Sequence, residues 1–309
     1  MDRGNQLRIY VAGHRGMVGR AVSGAIEKDP NHDWVGHSRE ELDLLDRKKV
    51  FQAVNESGAD AVVIAAARVG GILENSRKPV EFLSENIQIQ TNLIDASHEA
   101  DISRLVFLGS SCIYPKFAPQ PMKPPDLMTG HLEPTNSAYA MAKLAGLELV
   151  KAYRRQHDRR WISLLPTNLY GPYDNYDPTS SHVIPGIISK FLSAKQIGSN
   201  SVELWGSGRP LREFLHVQDL ASATLHALEN YDNLEPLNVG SGEEVSISEL
   251  ATIIKKLVGF EGRVLWDSSK PDGTPRKLLD SSALFGLGWR PKISLEQGLK
   301  STIESMIGN

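Results

Sequence analysis

The sequence predicts an α/β fold, in which a doubly wound parallel sheet carries a smaller, interleaved C-terminal α/β domain. In the first half of the chain, short apolar runs alternate with stretches of helical periodicity, which is typical of a parallel sheet covered on both faces. The first apolar run leads into a glycine-rich turn and then a helical pattern, as the first strand of such sheets does. After Gly171 and Pro172 the alternation gives way to loops rich in Pro, Ser and Asn, which marks the second part.

The strands of the main sheet are predicted from short apolar runs, and the helices from apolar residues at helical spacing. The two kinds of element alternate, so the helices connect parallel strands. The strands are expected at residues 7–12, 33–37, 60–67, 104–109, 161–166 and 237–239, and the helices at 17–28, 136–157 and 219–229.

The second part of the chain shows fewer clear elements. A helix is expected at 183–194 and a strand at 202–205. Ser246 with Glu249 forms a capping-box pattern that opens a helix to Val258, and Ser294 with Gln297 forms another at the last helix. We therefore predict two interleaved domains, of which the first takes residues 1–175 and about 213–240 and the second takes 176–212 and 241–309.

The composition excludes several classes of protein. The formal net charge of −3 offers no overall basic surface, so we expect no nucleic-acid partner. Cys112 is the only cysteine, which excludes an intramolecular disulfide and a cysteine-rich zinc site, and we expect no metal. The longest aliphatic run, 61–67, is far shorter than a membrane span, and the first residues lack the apolar segment of a secretory signal. We expect a cytoplasmic enzyme with no membrane partner.

Three glycines, Gly13, Gly16 and Gly19, follow the first strand and open the first helix. Glycines at such a turn let the backbone approach a pyrophosphate at the N-terminus of the helix. Their spacing differs from the G-x-G-x-x-G fingerprint, but their place between a strand and a helix predicts a dinucleotide site of the Rossmann type. The residues of this turn that we expect to bind the dinucleotide are Gly13, Arg15, Gly16, Met17, Val18 and Gly19.

The end of the second strand predicts which nicotinamide cofactor is used. An acid there would accept the ribose 2′-hydroxyl of NAD, whereas an arginine suits the 2′-phosphate of NADP. The strand ends at His37, Ser38 and Arg39, with no acid before Glu40, and Arg15 offers a second cation. We therefore predict NADP(H), bound in part by Arg39; the alternative is that Arg39 caps a surface helix.

Tyr139 and Lys143 are four residues apart in a predicted helix and therefore share one of its faces. A lysine ammonium beside a phenol lowers the tyrosine pKa, so the tyrosine can exchange a proton with a sugar or alcohol oxygen. Ser110, from another strand, is expected to hold that oxygen, and Cys112 lies on the same side if strand geometry continues. The alternative for the pair is an aromatic ring packed on the sheet beside a solvated lysine.

These features together resemble the extended short-chain dehydrogenase/reductase family, and the resemblance covers almost the whole chain. Within that family, the chain is similar to the enzymes that act on GDP-4-keto-6-deoxy-D-mannose as 3,5-epimerases and 4-reductases. The stretches that carry the resemblance are 13–19, 108–115, 166–171, 181–185, 212–216 and 270–275.

The resemblance implies a reaction in two stages. The C4 ketone of the substrate acidifies the protons on C3 and C5, and Cys112 and His182 are implied to remove and return those protons, since a thiol and an imidazole both titrate near neutral pH. NADPH then reduces C4, while Tyr139 protonates the alkoxide, Lys143 supports Tyr139 and holds the nicotinamide ribose, and Ser110 binds the C4 oxygen. Which of Cys112 and His182 is the base at each carbon stays open. In isolation, Cys112 also suits a small buried apolar position, and His182 a polar helix start.

The resemblance also implies binding residues and an assembly. Relatives form dimers through two long helices, which here would lie near 79–99 and 136–157. Of the substrate residues, Trp205 also suits a core position and Lys190 a solvated helix face. The remaining cofactor contacts are assigned to Leu108, Ser110, Tyr139, Lys143, Pro166, Asn168, Leu169 and His182, and the GDP-sugar contacts to Lys190, Trp205, Arg212 and Asp272.

Two other functions remain open. The first is a nucleotide-sugar 4-epimerase or 4,6-dehydratase with tightly bound NAD, although dehydratases of this superfamily carry Thr-Asp-Glu-type residues where this chain has 110–112. The second is a non-catalytic NADPH-binding sensor on the same fold. A sensor predicts damage to Ser110, Tyr139 or Lys143, and all three are present.

Overall fold

The computed structural model describes residues 6–177, 181–270 and 272–308. In chain order the strands are β1 Leu7–Ala12, β2 His32–Val35, β3 Ala61–Ile64, β4 Arg104–Leu108, β5 Arg160–Pro166, β6 Asn168–Tyr170, β7 Ser201–Trp205, β8 Leu211–His216, β9 Leu237–Val239, β10 Glu244–Ser246, β11 Arg263–Asp267 and β12 Arg276–Lys277. The helices are α1 Met17–Ile26, α2 Arg47–Glu56, α3 Ile72–Arg77, α4 Pro79–Glu99, α5 Ser137–His157, α6 Val183–Gln196, α7 Val217–Asn230, α8 Ile247–Val258, α9 Ser282–Gly286 and α10 Leu295–Gly308.

The main sheet has six strands in the order β2-β1-β3-β4-β5-β9, and every pair in it is parallel. Because β2 and β3 lie on either side of β1, the chain reverses its direction of winding there. Ligands of doubly wound sheets bind in the crevice beyond the carboxyl ends of the strands at such a point. The predicted doubly wound sheet is confirmed, including the last strand at 237–239.

Successive residues of the central strands face opposite layers, as the pleat of a strand requires. Tyr10 and Val62 join the core beneath α2, α4 and α5, whereas Ile9, Val11 and Val63 join the core beneath α1, α7 and α9. Both layers are closed to water, which explains why these strands read as unbroken apolar runs rather than as alternating ones.

A third core lies in the second part of the chain, between α6, α8 and α10. Strand β8 pairs with β6 and β12 in parallel and with β10 in antiparallel fashion, and β7 pairs with β11. Strand β6 begins two residues after β5 ends, so the main sheet and the smaller sheet are joined directly at the carboxyl end of β5.

Several predicted boundaries need correction. The second strand is His32–Val35 rather than 33–37, because the pairing of β2 with β1 ends at Tyr10 and Val35. The first helix ends at Ile26 rather than 28, and the third strand is Ala61–Ile64 rather than 60–67. The fourth strand, expected at 104–109, ends at Leu108, and a 3-10 turn follows at Ser111–Ile113.

Both predicted capping boxes are confirmed. The backbone N–H of Glu249 donates to Ser246 Oγ at 3.1 Å, and that of Ser246 donates to Glu249 Oε2 at 2.9 Å. The N–H of Ser294 donates to Gln297 Oε1 at 3.1 Å, and that of Gln297 donates to Ser294 Oγ at 3.4 Å. These bonds satisfy N–H groups that the first turn of a helix otherwise leaves without a partner. Over the described ranges, no helix combines the length and apolar character that crossing a bilayer requires.

Candidate active site

The glycine turn between β1 and α1 fits a dinucleotide. Gly13 has φ +86°, and its carbonyl accepts the N–H of Gly16 at 3.0 Å. A β-carbon at Gly13 would press on the backbone of Ala66, and one at Gly19 would overlap the Gly13 carbonyl. No side chain caps the N-terminus of α1, so its free N–H groups can bind phosphate oxygens. The buried Nδ1 of His14 has no hydrogen-bond partner within the described part of the chain.

Two arginines stand near the turn, at the end of β2 and in the loop before α1. Arg39 is exposed in the loop that follows β2. Arg15 donates to Glu40 Oε2 at 2.9 Å, and both side chains are mostly exposed. An ion pair this exposed contributes little to stability, so Arg15 can exchange Glu40 for a phosphate at small cost. These positions suit the predicted 2′-phosphate contact.

The other predicted cofactor residues also follow strands of the main sheet. Leu108 ends β4 and Pro166 ends β5, while Asn168 and Leu169 lie in β6 immediately after it. Asn168 Nδ2 donates to the carbonyl oxygen of Glu213 at 2.8 Å, which fixes this segment against β8. The structure therefore brings these residues to the same edge of the sheet as the glycine turn.

Lys143 is buried in α5, and its ammonium donates to the carbonyl oxygen of Leu108 at 2.8 Å. Burial lowers the pKa of Lys143 to about 8. Tyr139 lies one turn earlier, edge-on to Phe82 with ring centroids 6.4 Å apart. Burial raises the pKa of Tyr139, the charge of Cys112 raises it further, and a hydrogen bond with Ser110 opposes both. The expected lowering of the tyrosine pKa is therefore wrong for this structure, because desolvation dominates at Tyr139 while the Lys143 ammonium is bound to the Leu108 carbonyl.

Ser110 and Cys112 meet through a turn rather than through strand alternation. Ser110 has extended backbone at the start of the 3-10 turn, and the N–H of Cys112 donates to its Oγ at 3.1 Å. Strand geometry does not continue here, so the predicted reason for their shared side is wrong even though the side chains converge. Cys112 is partly exposed, which is unlike the buried apolar position considered from the sequence.

The thiol of Cys112 has a cation against it. Lys277 Nζ lies 3.2 Å from Cys112 Sγ. Burial alone would raise the pKa of Cys112, but the Lys277 ammonium, with help from Ser110 and from charge on His182, holds that pKa below its ordinary value. These contacts favour the thiolate form of the sulfur.

His182 stands at the start of α6, with its side chain 44% exposed. Its Nδ1 lies 3.8 Å from Oδ1 of Asp174, a carboxylate that is nearly fully buried. Asp174 raises the pKa of His182 against the effect of desolvation, and the charge of Cys112 acts in the same direction. Asp174 therefore favours the protonated form of the imidazole.

The predicted substrate residues form a second group in the smaller part of the fold. Trp205 is 52% exposed, so the alternative that it belongs to the core is wrong. The ammonium groups of Lys190 and Lys270 lie 5.6 and 5.7 Å from the centroid of its ring. Lys190 Nζ also donates to the carbonyl oxygen of Glu203 at 2.9 Å, which fixes it beside β7. An exposed indole beside two cations is suited to an anion that carries a planar ring.

Arg212 and Asp272 extend this group toward Cys112. Asp272 accepts the N–H of Ser207 at 2.6 Å and its hydroxyl at 2.8 Å, and Arg212 Nη2 donates to the Asp272 carbonyl oxygen at 3.5 Å. Burial lowers the pKa of Arg212, while the charges of Cys112 and Asp272 favour its protonated form. The charge of Arg212 therefore interacts both with Cys112 and with Asp272, which belongs to the same group as Trp205.

Sequence reasoning missed Lys277, Asp174 and Lys270. Lys277 lies in a strand of two residues, which is too short to produce a periodic signal. Asp174 follows Gly171 and Pro172 in an irregular loop, where a carboxylate is ordinarily a surface residue. Lys270 opens a stretch that carried the family resemblance, so that stretch was a usable signal for it.

Comparisons with known proteins show what the whole chain is similar to. The sequence model of the NAD dependent epimerase/dehydratase family matches residues 9–240. GDP-L-fucose synthase 1 of Arabidopsis thaliana is 50% identical over 302 residues, which cover 98% of this chain and 94% of that protein. GDP-L-fucose synthase of Escherichia coli K12 is 48% identical over 314 residues, which cover 99% of this chain and 98% of that protein. A solved GDP-L-fucose synthetase of Naegleria fowleri bound to NADP superimposes with a TM-score of 0.91 at 28% identity, covering 99% and 98% of the two chains.

We predict that Asp174→Asn lowers the pKa of His182. The carboxylate stabilises the imidazolium, so its removal moves the titration midpoint of His182 down and reduces the protonated fraction at neutral pH. NMR titration of the imidazole carbon-bound protons measures the midpoint, with the exposed His131 as an internal control. An unchanged His182 midpoint would show that Asp174 does not hold the proton.

Proposed function

The chain belongs to the NAD dependent epimerase/dehydratase family and, within it, to the GDP-L-fucose synthases, and we propose how its residues divide the work of that reaction. The enzyme uses NADP(H) to convert GDP-4-keto-6-deoxy-D-mannose to GDP-L-fucose, by epimerisation at C3 and C5 and reduction at C4. One observation carries the division of roles. Cys112, the epimerisation base, shares hydrogen-bonding and charge contacts with Ser110 and Tyr139, which serve the reduction.

Epimerisation needs a base and an acid on opposite faces of the sugar. Cys112 is the base, because Lys277 keeps its pKa low, and His182 is the acid, because Asp174 keeps its pKa high. Removal of the proton on C3 or C5 breaks the C–H bond and sends its electron pair toward the C4 oxygen as an enolate. Return of a proton from His182 on the other face inverts the carbon.

Reduction uses the groups on β4 and α5. NADPH, when bound, supplies the hydride that reduces C4. Burial keeps the phenol of Tyr139 protonated, which is the form that donates a proton to the C4 oxygen. Ser110 holds that oxygen by its hydroxyl. Lys143, fixed to the Leu108 carbonyl, presents an ammonium one helical turn from Tyr139, where the ribose of the cofactor is expected.

The cofactor and the sugar nucleotide belong to different parts of the chain. Apart from His182, the predicted NADP(H) residues lie in residues 1–175, among them the glycine turn and Arg39, and we propose these residues with about 213–240 as the cofactor domain. Residues 176–212 and 241–309 form the GDP-sugar domain. There the exposed Trp205 ring contacts the guanine-bearing half of the substrate, and Lys190 and Arg212 receive the diphosphate. Asp272 also contacts the nucleotide sugar.

The alternative functions lack support from the site. A 4-epimerase needs no thiolate base, whereas this chain places Lys277 against Cys112 and Asp174 against His182. A 4,6-dehydratase needs an acid pair at the positions that correspond to 110–112, and this chain has Ser-Ser-Cys there. A sensor does not account for two oppositely tuned acid–base groups in one crevice.

A homodimer is the assembly that the surface supports. Helices α4 and α5 pack side by side, and their outer face exposes Val80, Leu83 and Ile87 on α4 and Met141 on α5. These α4 positions are three and four residues apart and form one stripe. A second copy of the same helix pair, related by a two-fold axis, would cover it. We further propose the cytoplasm as the place of action, which fractionation of the source cells would test.

We predict that Cys112→Ser abolishes exchange of the C3 and C5 protons with solvent while NADPH binding is unchanged. A hydroxyl is far too weak an acid to form the base, and the loss should be at least about a hundredfold. Deuterium incorporation by NMR measures exchange. Tyr139→Phe is the matched control, since it should retain exchange and instead slow NADPH oxidation about a hundredfold or more. Full exchange in Cys112→Ser would remove the thiol from the mechanism.

We predict that Arg39→Ala weakens NADPH binding about tenfold to a hundredfold and leaves NADH binding nearly unchanged. The guanidinium is expected to bond the 2′-phosphate, which NADH lacks, and one charge-assisted bond is worth about that factor. Quenching of protein fluorescence measures both dissociation constants, and GDP binding should not change. Equal weakening of both cofactors would count against recognition of the 2′-phosphate by Arg39.

We predict that Leu83→Glu combined with Ile87→Glu converts the dimer to a monomer. Buried carboxylates on a two-fold axis repel one another and have no partners. Analytical ultracentrifugation measures the state, with Ile197→Glu as the control because that residue is 78% exposed on another helix end. A monomeric wild-type protein at micromolar concentration would refute the dimer.

A further inference from the structure

Lys277 lies at contact distance from the sulfur of Cys112, and none of the roles above assigns it to the substrate or cofactor. We propose that Lys277 is the positioning residue that keeps Cys112 in its thiolate form, aimed at the sugar, and that it transfers no proton itself. This inference rests on the proposed function and deepens it, because it explains how a thiol serves as a base on a carbon acid.

The place of Lys277 is fixed by its neighbours on both sides. Strand β12 pairs with β8, so that Lys277 lies opposite Arg212. The N–H of Leu278 donates to Gln120 Oε1, and its carbonyl accepts the N–H of Met122, each at 2.8 Å. Residues 120 and 122 belong to the segment that follows Cys112. The backbone on either side of the contact is therefore tied together, and the ammonium does not depend on a mobile loop.

A buried carboxylate anchors the same strand from behind. Glu213 is fully buried in β8, and its Oε2 accepts the N–H of Leu279 at 3.1 Å while its Oε1 accepts the N–H of Gly242 at 2.8 Å. This carboxylate joins the strand of Lys277 to the loop after β9. The smaller sheet thus fixes the position of Lys277, and the ammonium reaches Cys112 in the crevice of the main sheet.

The partners of Lys277 indicate what its charge is for. Within the described ranges, Cys112 Sγ is the only hydrogen-bond partner of its ammonium, and no carboxylate forms an ion pair with it. Its neighbour Arg276 points elsewhere and pairs with Glu244 at 2.7 Å. A partly buried cation without a carboxylate needs another anion, and a thiolate at 3.2 Å supplies one.

The other charged groups that face the sulfur come from three further elements. Arg212 approaches from β8, His182 from the start of α6 and Tyr139 from α5. Arg212 and His182 add positive potential, and they interact with the sulfur through space rather than by contact. The proton balance of the base step is simple: the C–H bond breaks, the S–H bond forms, and the electron pair moves to the C4 oxygen, while Lys277 stays protonated.

The test is the pH dependence of alkylation of Cys112 by iodoacetamide, since the thiolate is the reactive form and this is the only cysteine. The wild-type midpoint should lie below the value of about 8.5 for a free thiol. In Lys277→Met it should rise by about 1 to 2 pH units, which slows alkylation at neutral pH about tenfold to a hundredfold. Lys277→Arg should keep the low midpoint. Arg276→Met, which removes the neighbouring cation of the same strand, should leave it unchanged.

The inference fails if the midpoint for alkylation of Cys112 in the wild-type protein is at or above the ordinary thiol pKa. This measurement needs no variant. It also fails if Lys277→Met leaves the midpoint unchanged. An equal shift in Arg276→Met would overturn it as well, because both substitutions would then act by loosening strand β12. Exchange of C3 and C5 protons separates this from the proposed function. Lys277→Met should lose exchange at neutral pH and recover it at higher pH. A wild type without exchange but with a low midpoint would refute the proposed reaction and leave the role of Lys277 intact.

Discussion

The groups around the cofactor crevice depend on one constraint: the parallel strands of the main sheet end at the same edge. The turns after β1, β4 and β5 therefore meet there, which places the glycine turn, Ser110 and Asn168 around one crevice. Helix α5 follows the same edge, with Lys143 bound to the Leu108 carbonyl. The winding reversal beside β1 opens the space into which these turns point. Loop chemistry alone would not bring these segments together, because long stretches of chain separate them.

Local charge then gives each group in the crevice its own protonation state. The thiol of Cys112 has an ammonium in contact, His182 has a carboxylate, and Tyr139 has mainly the desolvation of its own burial. A base, an acid and a protonated phenol can therefore coexist at one pH. This division allows one crevice to serve proton abstraction and carbonyl reduction, two steps that require opposite properties of neighbouring side chains.

The smaller part of the fold contributes the cations that the main sheet lacks. Strands β8 and β12 bring Arg212 and Lys277 side by side. The buried Glu213 of β8 accepts the N–H of Leu279 and so holds the end of β12 against β8. The same part carries Trp205 with its two lysines. In the proposed reaction, the smaller sheet recognises the charged end of the substrate and also tunes the base that takes a proton from the sugar. Binding and proton chemistry are coupled through a few residues of adjacent strands.

The sequence alone determined the elements with strong local signals: the apolar runs of β1 and β4, the capping boxes at Ser246 and Ser294, and the glycine turn. It also placed Tyr139 and Lys143 on one helix face, because helical spacing is a local property. Only the tertiary structure decided the partners. Lys277 is 165 residues from Cys112, and Asp174 lies in an irregular loop. Burial raises the pKa of Tyr139, whereas the sequence predicted that Lys143 lowers it. Burial depends on everything packed around the ring, and no local pattern of residues encodes it.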